Sequence, residues 1–399
     1  MDINKMKIKI AALVVLASIF AGANVRADDT SANISIAKFI TNMKMGGDFR
    51  LRQENFWRST NKPNNPDRSR QRFRLRWGLE TSIQDVIVKF RLASGTGEQV
   101  STNQTFDNSF VQKQIWIDQA SLSWKAFEWL KISGGKMENP NWTNYTSDIV
   151  WDADLNPEGF AEQLDYSLND RIAVFGNFGQ FPLKETSGDT RDPWMFSNQI
   201  GVRTKVFDET KINIAANYIK NQYENSTSLA PNVIQKGNNR FPGSSISSVT
   251  GNYDMYHLTG EIATRVWIFP LDIQGDYVIN NGELYPAKGA AADNKPVSQQ
   301  DIVGYQVGFI AGKAKSANTW EAAYFFKYAE FNCTLADFAD SDFGDGGLNR
   351  KGHIMWIAYA PRDYIQLKAK LFVTETLHAE LSPGLDNINR FQLDCVVKF

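Results

Sequence analysis

Residues 70–80 read Arg-Gln-Arg-Phe-Arg-Leu-Arg-Trp-Gly-Leu-Glu. Cations stand at Arg70, Arg72, Arg74 and Arg76, and Phe73, Leu75, Trp77 and Leu79 fall between or after them. A period of two is the signature of a strand, because successive side chains leave a strand on opposite faces. A helix would spread the same residues around its circumference. In a water-soluble sheet the apolar face would meet a core and the arginines would meet solvent. That reading requires a second apolar layer somewhere in the chain.

The pattern recurs, and no stretch supplies the second layer. Phe49 and Leu51 alternate with Asp48, Arg50 and Arg52. Val86, Val88, Phe90 and Leu92 share a face opposite Lys89 and Arg91. Ile212, Ile214 and Tyr218 oppose Lys211, Asn213 and Asn217, and Leu271, Ile273, Tyr277 and Ile279 oppose Asp272, Gln274 and Asp276. In Ile365–Val373 the polar side carries Gln366, Lys368 and Lys370. Sixteen strands are expected, near 45–57, 69–81, 86–95, 114–125, 128–137, 157–168, 170–181, 195–207, 209–222, 251–265, 268–280, 301–312, 318–331, 349–360, 363–376 and 389–399. The facing of 114–125, 195–207 and 349–360 is ambiguous.

Connections alternate between long and short. The long ones are 58–68, 96–113, 138–156, 182–194, 223–250, 281–300, 332–348 and 377–388, rich in Asn, Pro, Gly, Ser and Asp. The short ones include 81–85, 125–127 and 361–362. An antiparallel meander with tight turns at one rim and long loops at the other is the plan of a transmembrane β-barrel. A barrel satisfies every backbone group by closing on itself, which is why lipid tolerates it. The expected fold is therefore all-β: an up-and-down transmembrane β-barrel of about sixteen strands over 45–399, with short periplasmic turns and long extracellular loops.

The N-terminus agrees. A basic start, an apolar run over 10–20 and small residues ending at Ala27 form the layout of a secretory signal peptide, 1–27. The run is too short to span a membrane comfortably. Residues 28–44 form an N-terminal lead. Removing the leader takes Lys5, Lys7, Lys9 and Arg26 but only Asp2, so the formal net charge falls from −1 to about −4. That balance, with no recognisable motif, argues against a nucleic-acid partner. Cys333 and Cys395 are expected at opposite ends of the molecule and unpaired. Aromatic residues near strand ends, among them Phe56, Trp57, Trp116, Trp129, Trp267, Phe269, Phe326 and Tyr364, suit interfacial girdles; a sandwich core is the competing reading.

The chain ends in an alternating strand, with Phe391, Leu393, Cys395, Val397 and Phe399 on one face. Here, and in Gly47–Arg52, Gly135–Pro140 and Asp152–Gly159, the sequence resembles bacterial outer-membrane porins of the general-diffusion and "putative porin" group. The resemblance covers the whole mature chain as architecture. It implies an outer-membrane location, a terminal Phe399 read by the barrel-assembly machinery, a homotrimer, and passive diffusion of small hydrophilic solutes. It also implies a third loop folded into the barrel, its acids facing a basic wall.

With Phe73, Leu75 and Trp77 toward lipid, the lumen receives Arg50, Arg52, Arg72, Arg74, Arg76, Lys89 and Arg91. Closure adds Lys368 and Lys370 two strands away. Asp148, Asp152, Asp154 and Glu158 of the third long loop are the candidate counter-charges; a solvated external loop is the alternative. The acidic loop from Asp337 to Asp345 lacks the ligand order of an EF-hand, and neither a metal nor a cofactor is expected. Of the three histidines, His257 pairs on paper with Glu261, but no Gly-x-Ser-x-Gly or acid–His–Ser set accompanies it, so an enzyme is not expected. A solute-selective channel for oligosaccharides or anionic polymers is the further alternative; Phe325 and Phe372 would face inward in it.

Overall fold

The computed structural model describes residues 42–59, 66–145, 148–185, 187, 192–222, 238, 252–282, 301–379 and 387–399. Residues 1–41, where the leader and most of the lead are expected, lie outside them. The strands are β1 (Lys44–Arg58), β2 (Arg68–Ile83), β3 (Val86–Ser94), β4 (Gln104–Thr105), β5 (Ile115–Phe127), β6 (Leu130–Lys136), β7 (Glu158–Ser167), β8 (Ile172–Pro182) and β9 (Trp194–Phe207). They continue with β10 (Thr210–Gln222), β11 (Asp254–Val266), β12 (Phe269–Asn280), β13 (Val303–Gly312), β14 (Thr319–Ala329), β15 (Arg350–Arg362), β16 (Ile365–Thr376) and β17 (Ile388–Lys398).

Each long strand pairs antiparallel with its neighbours in sequence, and β17 closes on β1 from Asp48↔Lys398 to Arg58↔Ile388. Phe399 completes the seam: its N–H donates to the Gly47 carbonyl at 3.1 Å and its carbonyl accepts from the Gly47 N–H at 2.8 Å. The result is the expected closed sixteen-strand barrel plus one extra strand. That extra strand, β4, pairs with Arg72 and Phe73 of β2, above the point where β3 leaves β2 at Arg76. Two residues are too few to carry a readable period.

The alternation settles facing. On β1, Asp48, Arg52, Glu54 and Phe56 are buried inward, while Met45, Leu51 and Trp57 are exposed outward. Phe56 is thus not a girdle residue; it lies under the guanidinium groups of Arg58, Arg70 and Arg390. Trp57, Trp116, Trp129, Trp267, Phe269 and Tyr364 are exposed, as girdles require. Cys333 is buried within the barrel, and Cys395 shares the outward face of β17 with the exposed Leu393; both are free thiols.

Outward register has an energetic test. A lysine at Leu51 would place an ammonium among acyl chains, at a cost of about 2–4 kcal/mol if near the midplane. Leu51→Lys should lower the unfolding free energy of the lipid-folded barrel, read from its denaturant transition, by that amount, whereas Gln392→Lys, on the inward face, should lower it less.

Candidate functional site: the loop-filled lumen

The third long loop, 137–157, enters the barrel between two glycines. Gly135 (φ +112°) and Gly159 (φ +144°) face each other across β6 and β7. A Cβ on Gly135 would lie 2.3 Å from the Ala120 carbonyl oxygen, and one on Gly159 would lie 2.1 Å from that of Gln180. Only glycine accepts both the backbone angle and the approach. These two residues sit at the ends of the segments that carried the family resemblance.

From there the loop crosses the lumen. The Trp142 N–H donates to Gln199 Oε1 at 2.7 Å, and Gln199 Nε2 donates back to the Trp142 carbonyl at 2.8 Å. Asn144 Nδ2 reaches the carbonyls of Gly260 on β11 (2.9 Å) and Gly275 on β12 (3.2 Å). The Tyr145 ring stands edge-on to Trp356 of β15 at 6.4 Å. The returning limb brings Asp154 to the wall, 3.7 Å from Arg74 and 3.6 Å from Arg76.

A second loop, 330–349, lies inside with it. The Asp152 N–H donates to the Phe338 carbonyl (2.7 Å) and the Asp340 N–H to the Asp148 carbonyl (2.9 Å). Asp342 takes Arg52 at 3.1 Å and Arg390 at 2.6 Å, Lys327 pairs with Asp340 at 3.0 Å, and Asp345 takes Arg58 and Arg350. The acids from 337 to 345 are therefore lumenal, not external. Ile149, Val150 and Trp151 of one loop and Leu335 and Phe338 of the other share an apolar core with Phe181, Met195, Ile219, Met255 and Val278 of the wall. The wall is thus not charged throughout. One sector is apolar because a loop covers it.

The basic wall is largely compensated by acids of the wall itself. Asp48 accepts from Arg74 and Arg76, each at 2.7 Å. Asp394 takes Arg52 at 2.7 Å and Arg50 at 3.8 Å. Arg91 meets Asp118, and Lys89 meets Glu138. Glu54, fully buried, collects Arg70, Arg390 and Gln392, with Arg72 at 3.8 Å. Of the nine cations expected in the lumen, seven have a carboxylate partner, while Lys368 and Lys370 lie over aromatic rings instead. Sequence reading noticed Asp48 as inward but missed Glu54, Arg390 and Asp342, whose pairings Arg390–Glu54 and Arg52–Asp342 join residues more than 280 positions apart.

The four loop acids separate in role. Asp154 meets the arginines. Asp152 is buried and accepts from the Ser341 N–H at 2.9 Å. Asp148 lines a cavity with Asp340, Lys368 and Lys370. Glu158 is the first residue of β7, mostly exposed, and pairs with Lys136 at 2.9 Å, so it does not belong with the others. His257 Nε2 donates to Asp276 Oδ1 at 3.0 Å and does not pair with Glu261, which accepts instead from Asn213 and Gln274. Phe325 and Phe372 do face inward, but both are buried, Phe325 against Trp356 and Phe372 against Phe343, so they form no open aromatic track.

Burial and the nearby Asp340 charge push the Asp148 carboxyl up to about 7. Burial, then Asp154 and Asp148, push Asp152 well above the ordinary range. Burial also acts to raise Asp154, but Arg74 and Arg76 overcome it and hold that carboxyl low. A raised carboxyl holds its proton in the docked state where the free loop has lost it. Its contribution is complete below the ordinary pKa and is lost as pH rises toward 7. Docking of the two loops should therefore weaken between about pH 4 and 7, seen as larger open-channel noise at pH 8 than at pH 5. Asp148→Asn should flatten that dependence.

The family model described as "Putative porin" matches residues 19–399. No curated protein matches the sequence. Among solved structures, the high-pH form of Pseudomonas putida OprB is similar at 10% identity, covering 91% of this chain and 95% of that one, with a TM-score of 0.56. Salmonella typhi OmpF in complex with daunomycin is similar at 10% identity, covering 90% and 97%, with a TM-score of 0.50. At such identity the likeness speaks for the fold.

Proposed function

The chain belongs to the "Putative porin" family, an outer-membrane channel by family and fold, and from that premise we propose that its path for small hydrophilic solutes narrows at a charged constriction. Arg50, Arg72, Arg74 and Arg76 form one side of it. The opposite side is the acidic and amide sector, Glu261, Asp272, Asp276 and Glu321 on β11, β12 and β14. Asp148, Asp152 and Asp154 ride on the loop between them. The observation that carries this reading is the third loop itself, anchored at β11 and β12 by Asn144 and at β2 by Asp154. A loop held at both walls reduces the free cross-section, and the unequal charge on the two walls sets a transverse field that acts on whatever passes.

Single-channel recording in planar bilayers, with swelling of liposomes in sugars of graded size, tests it. Conduction with a sharp size limit is expected; a wide pore indifferent to size would defeat the constriction. Phe399, hydrogen-bonded into the seam with Gly47, serves as the assembly signal. Its deletion should lower the yield of folded barrel in cells. The resemblance to general-diffusion porins also supports a homotrimer, which sedimentation of the detergent-extracted protein tests.

A further inference from the structure

Lys368 and Lys370 differ from the seven other cations expected in the lumen. Neither forms an ion pair with a described carboxylate. Lys368 Nζ lies 4.3 Å from the centroid of the Trp356 ring and 5.5 Å from that of Tyr145, with the Tyr145 hydroxyl 3.5 Å away. Lys370 Nζ lies 4.5 Å from the Phe372 centroid and 5.6 Å from that of Trp356. As alternate residues of one strand they stand on the same face, about 7 Å apart along it. Two ammonium groups so placed repel each other, and an anion between them would relieve both.

The surroundings say more about that anion. The cavity they line holds about 120 Å³. That is of the order of the ~150 Å³ apolar cavity known to accept one benzene ring. Tyr145, from the third loop, is 60% exposed and offers its ring to the lumen. Trp356 is fixed beneath, its indole N–H donating to Glu321 at 2.7 Å and its ring stacked on Phe325 at 5.6 Å. Asp340, the fixed acid in the cavity, is committed to Lys327 and to the N–H groups of Asp342 and Phe343. Asp148, pushed up to about 7 by burial and by Asp340, is substantially protonated near neutrality and can then donate to an anion.

We propose that Lys368, Lys370, Trp356 and Tyr145 form a binding site for single-ring aromatic carboxylates on the solute path. The carboxylate bridges the two ammonium groups and the ring packs against Tyr145. This rests on the porin reading and names a solute class for it.

Benzoate is the probe. Added to a conducting channel in potassium chloride, it should reduce the single-channel current at concentrations where acetate and benzylammonium do not. Lys368→Gln with Lys370→Gln should weaken the block about tenfold or more, the loss expected for a charge-assisted contact. Tyr145→Leu should bring benzoate toward acetate while sparing anion preference. A channel that conducts but is blocked equally by all three probes, or equally in the double variant, overturns the site and leaves the porin reading intact. A channel that fails to conduct defeats the porin reading. Equilibrium dialysis of radiolabelled benzoate against the detergent-folded barrel and its double variant then decides the site by itself: equal binding overturns it, and loss in the variant supports it.

Discussion

Replacing Arg72, Arg74 and Arg76 with serine should move the zero-current potential of the channel toward that of a cation-selective pore. Each of these guanidinium groups is held in the lumen by carboxylates: Asp48 and Asp154 for Arg74 and Arg76, Glu54 for Arg72. The substitutions remove three positive charges and leave those acids behind. Fixed charge within a Debye length of passing ions, about 10 Å at 0.1 M salt, is only partly screened. In a tenfold gradient a perfectly cation-selective pore would reach about 59 mV, and a shift of about a third of that is expected here. An unchanged potential would show that ions pass elsewhere than along β2.

Arg390→Met should both destabilise the barrel and open it. Arg390 is almost fully buried and pairs with Glu54 and with the Asp342 carboxylate. It also donates to the carbonyls of Ser341 (3.2 Å), Asp342 (2.7 Å) and Gly344 (3.3 Å). One side chain therefore ties loop 330–349 to the β17–β1 seam. Methionine keeps much of the volume but takes a cation from the buried Glu54 and from the half-buried Asp342, and removing one partner of a buried ion pair costs about 3–5 kcal/mol. The denaturant midpoint should fall accordingly. The loop, released on one side, should leave the lumen part of the time, so single-channel conductance should rise severalfold with frequent transitions. A variant that is destabilised but conducts like the parent would show that this loop does not narrow the path. Glu54→Gln should destabilise similarly but leave the Arg390–loop hydrogen bonds in place, so its conductance should change less.

The barrel was legible because lipid and water on opposite sides of one strand impose a strict period of two. β1, β2, β12 and β16 obey it, and every expected long strand appears within three residues of its place. The facing was ambiguous where the rule is relaxed. On β15, Ile354, Trp356, Ala358 and Ala360 turn inward while Met355, Ile357 and Tyr359 turn outward. Both faces are apolar because the inner one packs on other protein. β9 blurs for the same reason at Met195, which touches the loop core. Ambiguity in the pattern was thus itself a trace of the infolded loops.

The candidate site was legible in part. Arginine spacing on β2 told which charges share the lumen, and the order of loops pointed to Asp148, Asp152, Asp154 and Glu158, of which Asp154 meets those arginines. Nothing local marked the acids from 337 to 345 as lumenal, since a run rich in Asp and Gly reads equally well as a solvated loop.

Sequence alone determined the strands, the facing of those with a clear period, and most of the cations on that inward face, because each follows from neighbours one or two residues apart. Tertiary structure alone decided which acid meets which cation, that among the described residues Lys368 and Lys370 stay without a carboxylate, and that the loops 137–157 and 330–349 enter the lumen. Those outcomes depend on contacts between residues tens to hundreds of positions apart, where charge pairing and apolar burial choose among many partners that local pattern cannot rank.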